Sequence, residues 1–205
     1  MRHQKHRIFD LTLVIASAPI WMPLLALTAA LVRLVDGPPV IFRQERVGRA
    51  GQIFLLLKFR TMRVSRRERF GPPDPAEVTA LGRVLRATSL DELPQLFNVL
   101  RGEMALVGPR PVRPAHLERS PRFSGERLTV RPGVTGLAQA RGRNDLTWDE
   151  KLDLDEYYVR HRSLRLDLQV LAETLINVAR RRGIDSHQPD PLGTTYGPGR
   201  TGRSE

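Results

Sequence analysis

The chain has 205 residues, a formal net charge of +11 and no cysteine. That length allows one modest domain with a real core, and the missing cysteines exclude disulfides and thiolate metal sites. The excess of cations asks for an anionic partner, and nucleic acid, acidic lipid headgroups and nucleotide substrates all qualify.

From Leu11 to Val32 no residue is charged. As straight helix this segment would span about 33 Å, enough to cross the hydrocarbon core. Three arrangements fit. A single spanning helix is the plainest. A cleaved signal peptide would explain the basic start and Ala16-Ser17-Ala18, but the apolar run continues well past that point. A re-entrant helix would enter, bend and leave on one face. Pro19 and Pro23 each remove a helix hydrogen bond mid-segment. Basic residues flank both ends: Arg2, Lys5 and Arg7 before, Arg33, Arg43, Arg46 and Arg49 after. A spanning helix normally carries that bias on one side only.

Residues 38–43 and 52–59 are β-rich runs, and the glycine-containing turn at 48–51 between them predicts a small hairpin. Residues 63–80 are charged, contain Pro72, Pro73 and Pro75, and read as a loop. A helix is predicted over 89–100. Its cap is either Ser89, which has capping-box spacing to Glu92, or Asp91, which moves Pro94 into the first turn. A short helix is expected within 113–128. Residues 147–182 are mostly helical, with a break near His161-Arg162-Ser163. In the second half Leu164, Leu168, Leu171, Leu175 and Val178 recur at helical spacing. Such a stripe packs either on the protein core or in a membrane interface. Residues 185–205 are rich in Gly, Pro, Ser and Thr and read as a disordered tail.

Asp91 and Glu92 are adjacent carboxylates in a basic chain. Adjacent helical residues point about 100° apart, so one can face a substrate while the other holds a metal. A helix N-terminus would keep both ionised. An ionised Asp can attack phosphorus and divide one hard transfer into two easier steps. Mg²⁺ is the expected metal, bound by carboxylate and phosphate oxygens. Alone, such a pair more often serves capping and the helix dipole. Its surroundings are unusual, however. Lys58-Phe59-Arg60 ends a strand-like run, Arg86 precedes Asp91, and Arg110, Arg131 and Arg143 sit on Gly/Pro or Gly turns. Arginines on stiff turns offer forked donors to phosphate at low entropic cost.

The segments KFRTM (58–62), SLDELPQLFNVLRGEMALVGPRP (89–111), VRPGVTGLAQARGRN (130–144) and DEYYV (155–159) together resemble the bacterial sugar transferase family. These are the monotopic polyprenyl-phosphate phosphoglycosyl transferases. The resemblance runs from Arg7 to Arg182, in order. It implies transfer of a phospho-sugar from a UDP-sugar to undecaprenyl phosphate, with release of UMP. It further implies Mg²⁺ and a covalent phospho-sugar on the Asp of an Asp-Glu dyad. Asp91 matches that Asp, and Glu92 matches the Glu linked to metal binding. Arg110 matches the phosphate-binding Arg of the GPRP motif. Lys58, Arg86 and Arg143 occupy further basic motif positions. The family's N-terminal helix is re-entrant, with both ends cytoplasmic, and breaks at a Ser-Pro pair. Here that pair falls on Met22-Pro23, so its hydroxyl is missing, and Pro19 or Ser17 stands as the compensating residue. The resemblance is to the minimal form of the family, and the expectation is a chain without the extra transmembrane helices of larger relatives.

The expectation is therefore a helix-dominated α/β monotopic domain. Residues 1–36 form the basic flank and re-entrant helix, 37–184 the catalytic domain with amphipathic helices, and 185–205 the tail. Asp91 and Glu92 are the catalytic candidates, and Glu92 is the metal ligand. Lys58, Arg60, Arg86, Arg110, Arg131 and Arg143 are the substrate-binding candidates, and Pro19, Met22 and Pro23 mark the helix break. The partners are a UDP-sugar donor, a polyprenyl-phosphate acceptor and membrane lipids at the cytoplasmic face of the bacterial inner membrane. A second copy of the chain is also compatible. Two other classes compete. A basic nucleic-acid-binding protein fits the charge, but aromatic content is only 6 %, with no stacking platform or helix-turn-helix signature. A catalytically inactive membrane scaffold would share the fold, and the intact Asp91-Glu92 pair speaks against it.

Overall fold

The computed structural model describes residues 2–63, 75–118, 121–142 and 146–180. Arg143, the tail and most of the loop expected over 63–80 lie outside the described residues. The fold is α/β and dominated by helices, with a small antiparallel hairpin, as expected.

Two helices open the chain, α1 (Arg2–Ala16) and α2 (Ala18–Val35). They meet at Ser17, not at Met22-Pro23, and α2 continues through both of those residues. The chemistry of the break explains the correction. Pro19 lies in the first turn of α2, where a missing N–H is tolerated. The Ser17 hydroxyl donates to the carbonyl of Leu13 at 2.7 Å, and the Trp21 indole N–H donates to that of Val14 at 2.9 Å. The hydroxyl that Met22 lacks is thus supplied five residues earlier. By length and composition α2 could cross a membrane. Its buried residues are Trp21, Thr28 and Val32, while Ile20, Met22, Leu27 and Leu34 are exposed.

The hairpin pairs β1 (Ile41–Val47) with β2 (Ile53–Phe59), Ile41 opposite Phe59 and Val47 opposite Ile53. The first strand starts later than expected, because Pro38 and Pro39 have no N–H to give a ladder. One edge of β2 is covered by a side chain. Asn98 accepts from the Leu57 N–H at 3.1 Å and donates to the Leu55 carbonyl at 2.8 Å. The fully buried Asn98 thus imitates a neighbouring strand.

A helix missed by sequence follows, α3 (Ala80–Thr88), capped by the Thr79 hydroxyl accepting from the Gly82 N–H. Ser89 ends it in the left-handed region at φ 57°. The single helix expected over 89–100 is therefore split. Leu90–Glu92 form one 3₁₀ turn, and α4 (Gln95–Arg101) begins after Pro94. The Ser89 side chain caps nothing, so the Ser89/Glu92 box does not form. Nor is Asp91 the cap, a position that Pro94 holds. Proline cannot donate into the preceding turn, and the helix restarts there.

β3 (Ala105–Val107) and β4 (Gly133–Thr135) pair in parallel. They cross so closely that a Cβ on Gly133 would meet the Gly108 nitrogen at 2.1 Å. Between them lie α5 (Pro114–Leu117) and two 3₁₀ turns, where one short helix was expected. After β4 come α6 (Leu137–Arg141), α7 (Trp148–His161) and α8 (Leu164–Ala179). The break between α7 and α8 falls at Arg162-Ser163, and a Thr147/Glu150 capping box starts α7. In α8 Val170 is buried, with Leu166 and Leu171 partly buried against Val107, Leu137 and Tyr158. Leu164, Leu168, Leu175 and Ile176 face outward.

Buried polar groups fasten α1 to this body. His6 Nδ1 lies 2.7 Å from Asp167 Oδ2, and the Tyr158 hydroxyl reaches the other carboxylate oxygen at 2.7 Å. The Arg7 guanidinium donates to the carbonyls of Val99 and Leu100 at the end of α4, where a cation also meets the helix dipole favourably.

Candidate active site

Ser89 turns the chain so that the 3₁₀ turn carries Asp91 and Glu92 to the end of β2. Asn98 ties α4 to that strand, so the dyad and Lys58 share one rigid frame. Lys58 Nζ donates to Glu92 Oε1 at 2.6 Å and lies 3.9 Å from Asp91 Oδ2. Arg110 Nη2 approaches the same Glu92 oxygen at 3.5 Å, and its guanidinium is half exposed.

This geometry separates the two acids. Burial pushes the Asp91 carboxyl well above its ordinary value, and Glu92 adds to the effect. Lys58, Arg86 and Arg110 oppose the shift without cancelling it. Burial also works against ionised Glu92, but Lys58 and Arg110 overcome it and hold that carboxyl well below its ordinary value. The expectation that a helix N-terminus keeps both groups ionised is corrected. The dyad sits in a one-turn 3₁₀ segment ahead of α4, and cationic side chains set the charge of Glu92. Asp91 is only 8 % exposed. Once ionised, it is poorly solvated and correspondingly reactive toward an electrophile.

Arg110 stands on the 108–111 loop, which follows β3. The Gly108 N–H donates to the Thr135 carbonyl at 2.9 Å, and the Gly133 N–H to that of Pro109 at 3.0 Å. Arg46 of β1 buttresses the far side, its Nη1 donating to the Pro111 carbonyl at 2.9 Å. Burial, together with repulsion from Arg110 and Arg113, pushes the Arg46 guanidinium down to about 9. Cations crowded in this way suit an anion arriving between them.

The structure brings Lys58, Asp91, Glu92 and Arg110 together. Arg86 acts on Asp91 through space, and its Nε donates to the Thr61 hydroxyl at 2.9 Å. Arg60 and Arg131 are engaged elsewhere. The Arg60 fork holds the carbonyls of Asp36, Gly37 and Pro38 beyond the end of α2. Arg131 Nε donates to the Gly102 carbonyl at 2.7 Å, beyond the end of α4. A helix C-terminus attracts guanidinium for the same electrostatic reason as a phosphate does. Arg143 lies outside the described residues. Sequence reasoning missed Arg46 as a site residue. Its reach to the Pro111 carbonyl, 65 residues away along the chain, shows only in three dimensions.

No group of three acidic or histidine side chains forms a metal cage among the described residues. Both Lys58 and Arg110 address Glu92 Oε1. Among the described residues this leaves the second Glu92 oxygen for an ion.

The bacterial sugar transferase family matches residues 1–181. The sugar transferase EpsL of Bacillus subtilis is 43 % identical over 179 residues, which cover 87 % of this chain and 89 % of EpsL. The undecaprenyl-phosphate galactose phosphotransferase of Salmonella typhimurium is 41 % identical over 72 % of this chain, which spans 35 % of that protein. The UDP-glucose:undecaprenyl-phosphate glucose-1-phosphate transferase of Caulobacter vibrioides is 40 % identical over 83 % of this chain and 68 % of its own length. With the family match running from the first residue to beyond the end of α8, the chain belongs to the bacterial sugar transferases and is a transferase by that membership.

Proposed function

We propose that this sugar transferase is a phosphoglycosyl transferase that moves a phospho-sugar from a UDP-sugar to polyprenyl phosphate through Asp91. The observation that carries the reading is a buried, cation-flanked Asp91 beside a Glu92 held ionised. An Asp91 oxygen attacks the sugar-linked phosphorus, and the bond from that phosphorus to the UMP oxygen breaks. UMP leaves with the bonding electron pair. An oxygen of polyprenyl phosphate then attacks the same phosphorus, and the Asp91–phosphorus bond breaks. The products are UMP and a polyprenyl diphospho-sugar. Lys58 and Arg110 balance phosphate charge and keep Glu92 ionised. Glu92 would hold Mg²⁺, which neutralises pyrophosphate charge. The names of the Salmonella and Caulobacter relatives support this donor and acceptor class. The site belongs at the cytoplasmic face of the inner membrane, where a soluble nucleotide and a lipid phosphate can both reach it.

The test is label transfer. Incubation of the purified chain with radiolabelled UDP-sugars and Mg²⁺, without acceptor, is expected to label the protein and release UMP. Asp91→Asn is expected to abolish labelling and to lower turnover by about 10³-fold or more. Full turnover in that variant would refute the covalent route. Absence of UMP release across a wide donor panel would favour an inactive scaffold.

A further inference from the structure

The Asp155-to-Val159 motif has no part in the dyad chemistry, yet two of its side chains reach the segment that carries Arg110. The Tyr158 hydroxyl donates to the Val107 carbonyl at 3.0 Å, just before the loop. Asp155 works through a second residue. Its Oδ2 accepts from Arg127 Nη2 at 2.9 Å, and the same nitrogen donates to the backbone carbonyl of Arg110 at 2.7 Å. Both side chains are almost fully buried. The Phe123 ring lies 5.7 Å from the Arg127 guanidinium carbon and backs it.

Stability alone is a poor reason for this arrangement. A buried ion pair is often no more stabilising than an apolar pair of similar volume. Arg127 Nη1 is buried without a partner among the described residues, which adds a cost. What the pair specifically accomplishes is to fix one peptide group. Proline flanks Arg110 on both sides and donates nothing, so the loop depends on its carbonyls being held. Those of Pro109, Arg110, Pro111 and Val112 are all taken, by Gly133, Arg127, Arg46 and Val47.

We infer that Arg127 and Asp155 are positioning residues for Arg110: the buried pair fixes the peptide from which the Arg110 guanidinium is aimed at the donor's phosphates. This rests on the proposed donor. α7, which carries Asp155, is thereby wired to the phosphate site.

A double-mutant cycle tests it. Arg127→Met with Asp155→Leu removes the pair without stranding a buried charge, so the fold should survive, with a thermal midpoint close to the parent's. In that variant the KM for the UDP-sugar is expected to rise about tenfold while kcat changes much less, as for a displaced ligand-binding group. Calorimetric binding of UMP should weaken in parallel. In an Arg110→Ala background the same pair of changes should cost nothing further. Arg127→Lys keeps a donor and should restore part of the affinity. Equal losses with and without Arg110, or a loss that tracks only the thermal midpoint, would overturn the inference. A parent chain that neither binds UMP nor releases it from any UDP-sugar would instead defeat the proposed function, and this inference with it. Should the double variant fail to fold, Asp155→Asn, which keeps the side chain's shape and one acceptor for Arg127, serves in the same cycle with Arg110→Ala. A smaller rise in KM is expected there than for the double variant, and additivity with Arg110→Ala would likewise overturn the inference.

Discussion

Asp91 and Glu92 are neighbours in sequence with opposite electrostatic fates. Two carboxylates among cations are legible without coordinates, because charge and spacing are written in the chain. Which acid is ionised is not legible. That depends on Lys58, which sits 3.9 Å from one acid and 2.6 Å from the other. A pH prediction follows from the difference. Attack needs ionised Asp91, whose carboxyl is held above its ordinary 3.8. As pH falls through the raised value the carboxylate is lost, so the rate of protein labelling should drop on the acid side well above pH 4. Lys58 lowers the Asp91 value and Glu92 raises it. Lys58→Met should therefore move the acid limb toward neutrality, and Glu92→Gln should move it down, each by about one pH unit. Single-turnover UMP release from pH 4 to 8 measures both. If neither variant shifts the limb, a group other than Asp91 controls it.

At the scale of elements, the hairpin, the α7–α8 pair and its break were legible from alternation, turn residues and 3.6-residue spacing. The division of the 80–101 region into α3, a 3₁₀ turn and α4 was not. Its signal is a left-handed Ser89, and serine carries no propensity that announces such a backbone. The backbone partners of Arg60 and Arg131 were hidden for a related reason. A guanidinium near a turn shows its charge in sequence, but not whether a helix end or a ligand receives it. Ser89 offers a clean test. A non-glycine residue at φ 57° is strained, and glycine at a helix C-terminus relieves that strain. Ser89→Gly should raise stability by about 0.5–1 kcal/mol, read as a higher thermal midpoint. The same change loosens the turn that aims Asp91, so turnover should fall as stability rises. A variant that is less stable than the parent would show that the Ser89 side chain, and not the strain, governs this junction.

For the whole molecule the question is how α1 and α2 meet the bilayer. α2 is about 27 Å long by its residue count, close to the thickness of the hydrocarbon core. Both ends of the helix pair are nevertheless fastened to one body. At the start, His6 meets Asp167 of α8, and Arg7 holds the end of α4. At the finish, Arg60 holds the carbonyls of Asp36, Gly37 and Pro38, and the Thr79 hydroxyl donates to Asp36 at 2.9 Å. Trp21, early in α2, packs edge-on to Phe97, and Val32, late in α2, packs with Phe59 and Leu85. A spanning helix would set these two ends on opposite sides of roughly 30 Å of hydrocarbon, which one compact polar body cannot follow. The exposed face of α2 and the outward leucines of α8 would instead dip into one leaflet, with the basic residues at its headgroups. The absence of cysteine makes this directly measurable. Gln4→Cys and Val35→Cys introduce single thiols at exposed positions on either side of the apolar run. In intact spheroplasts a membrane-impermeant maleimide should label neither, and after lysis it should label both. Labelling of one thiol and not the other in intact spheroplasts would mean that the segment spans, and that the bonds holding its two ends to a single body do not persist in the membrane.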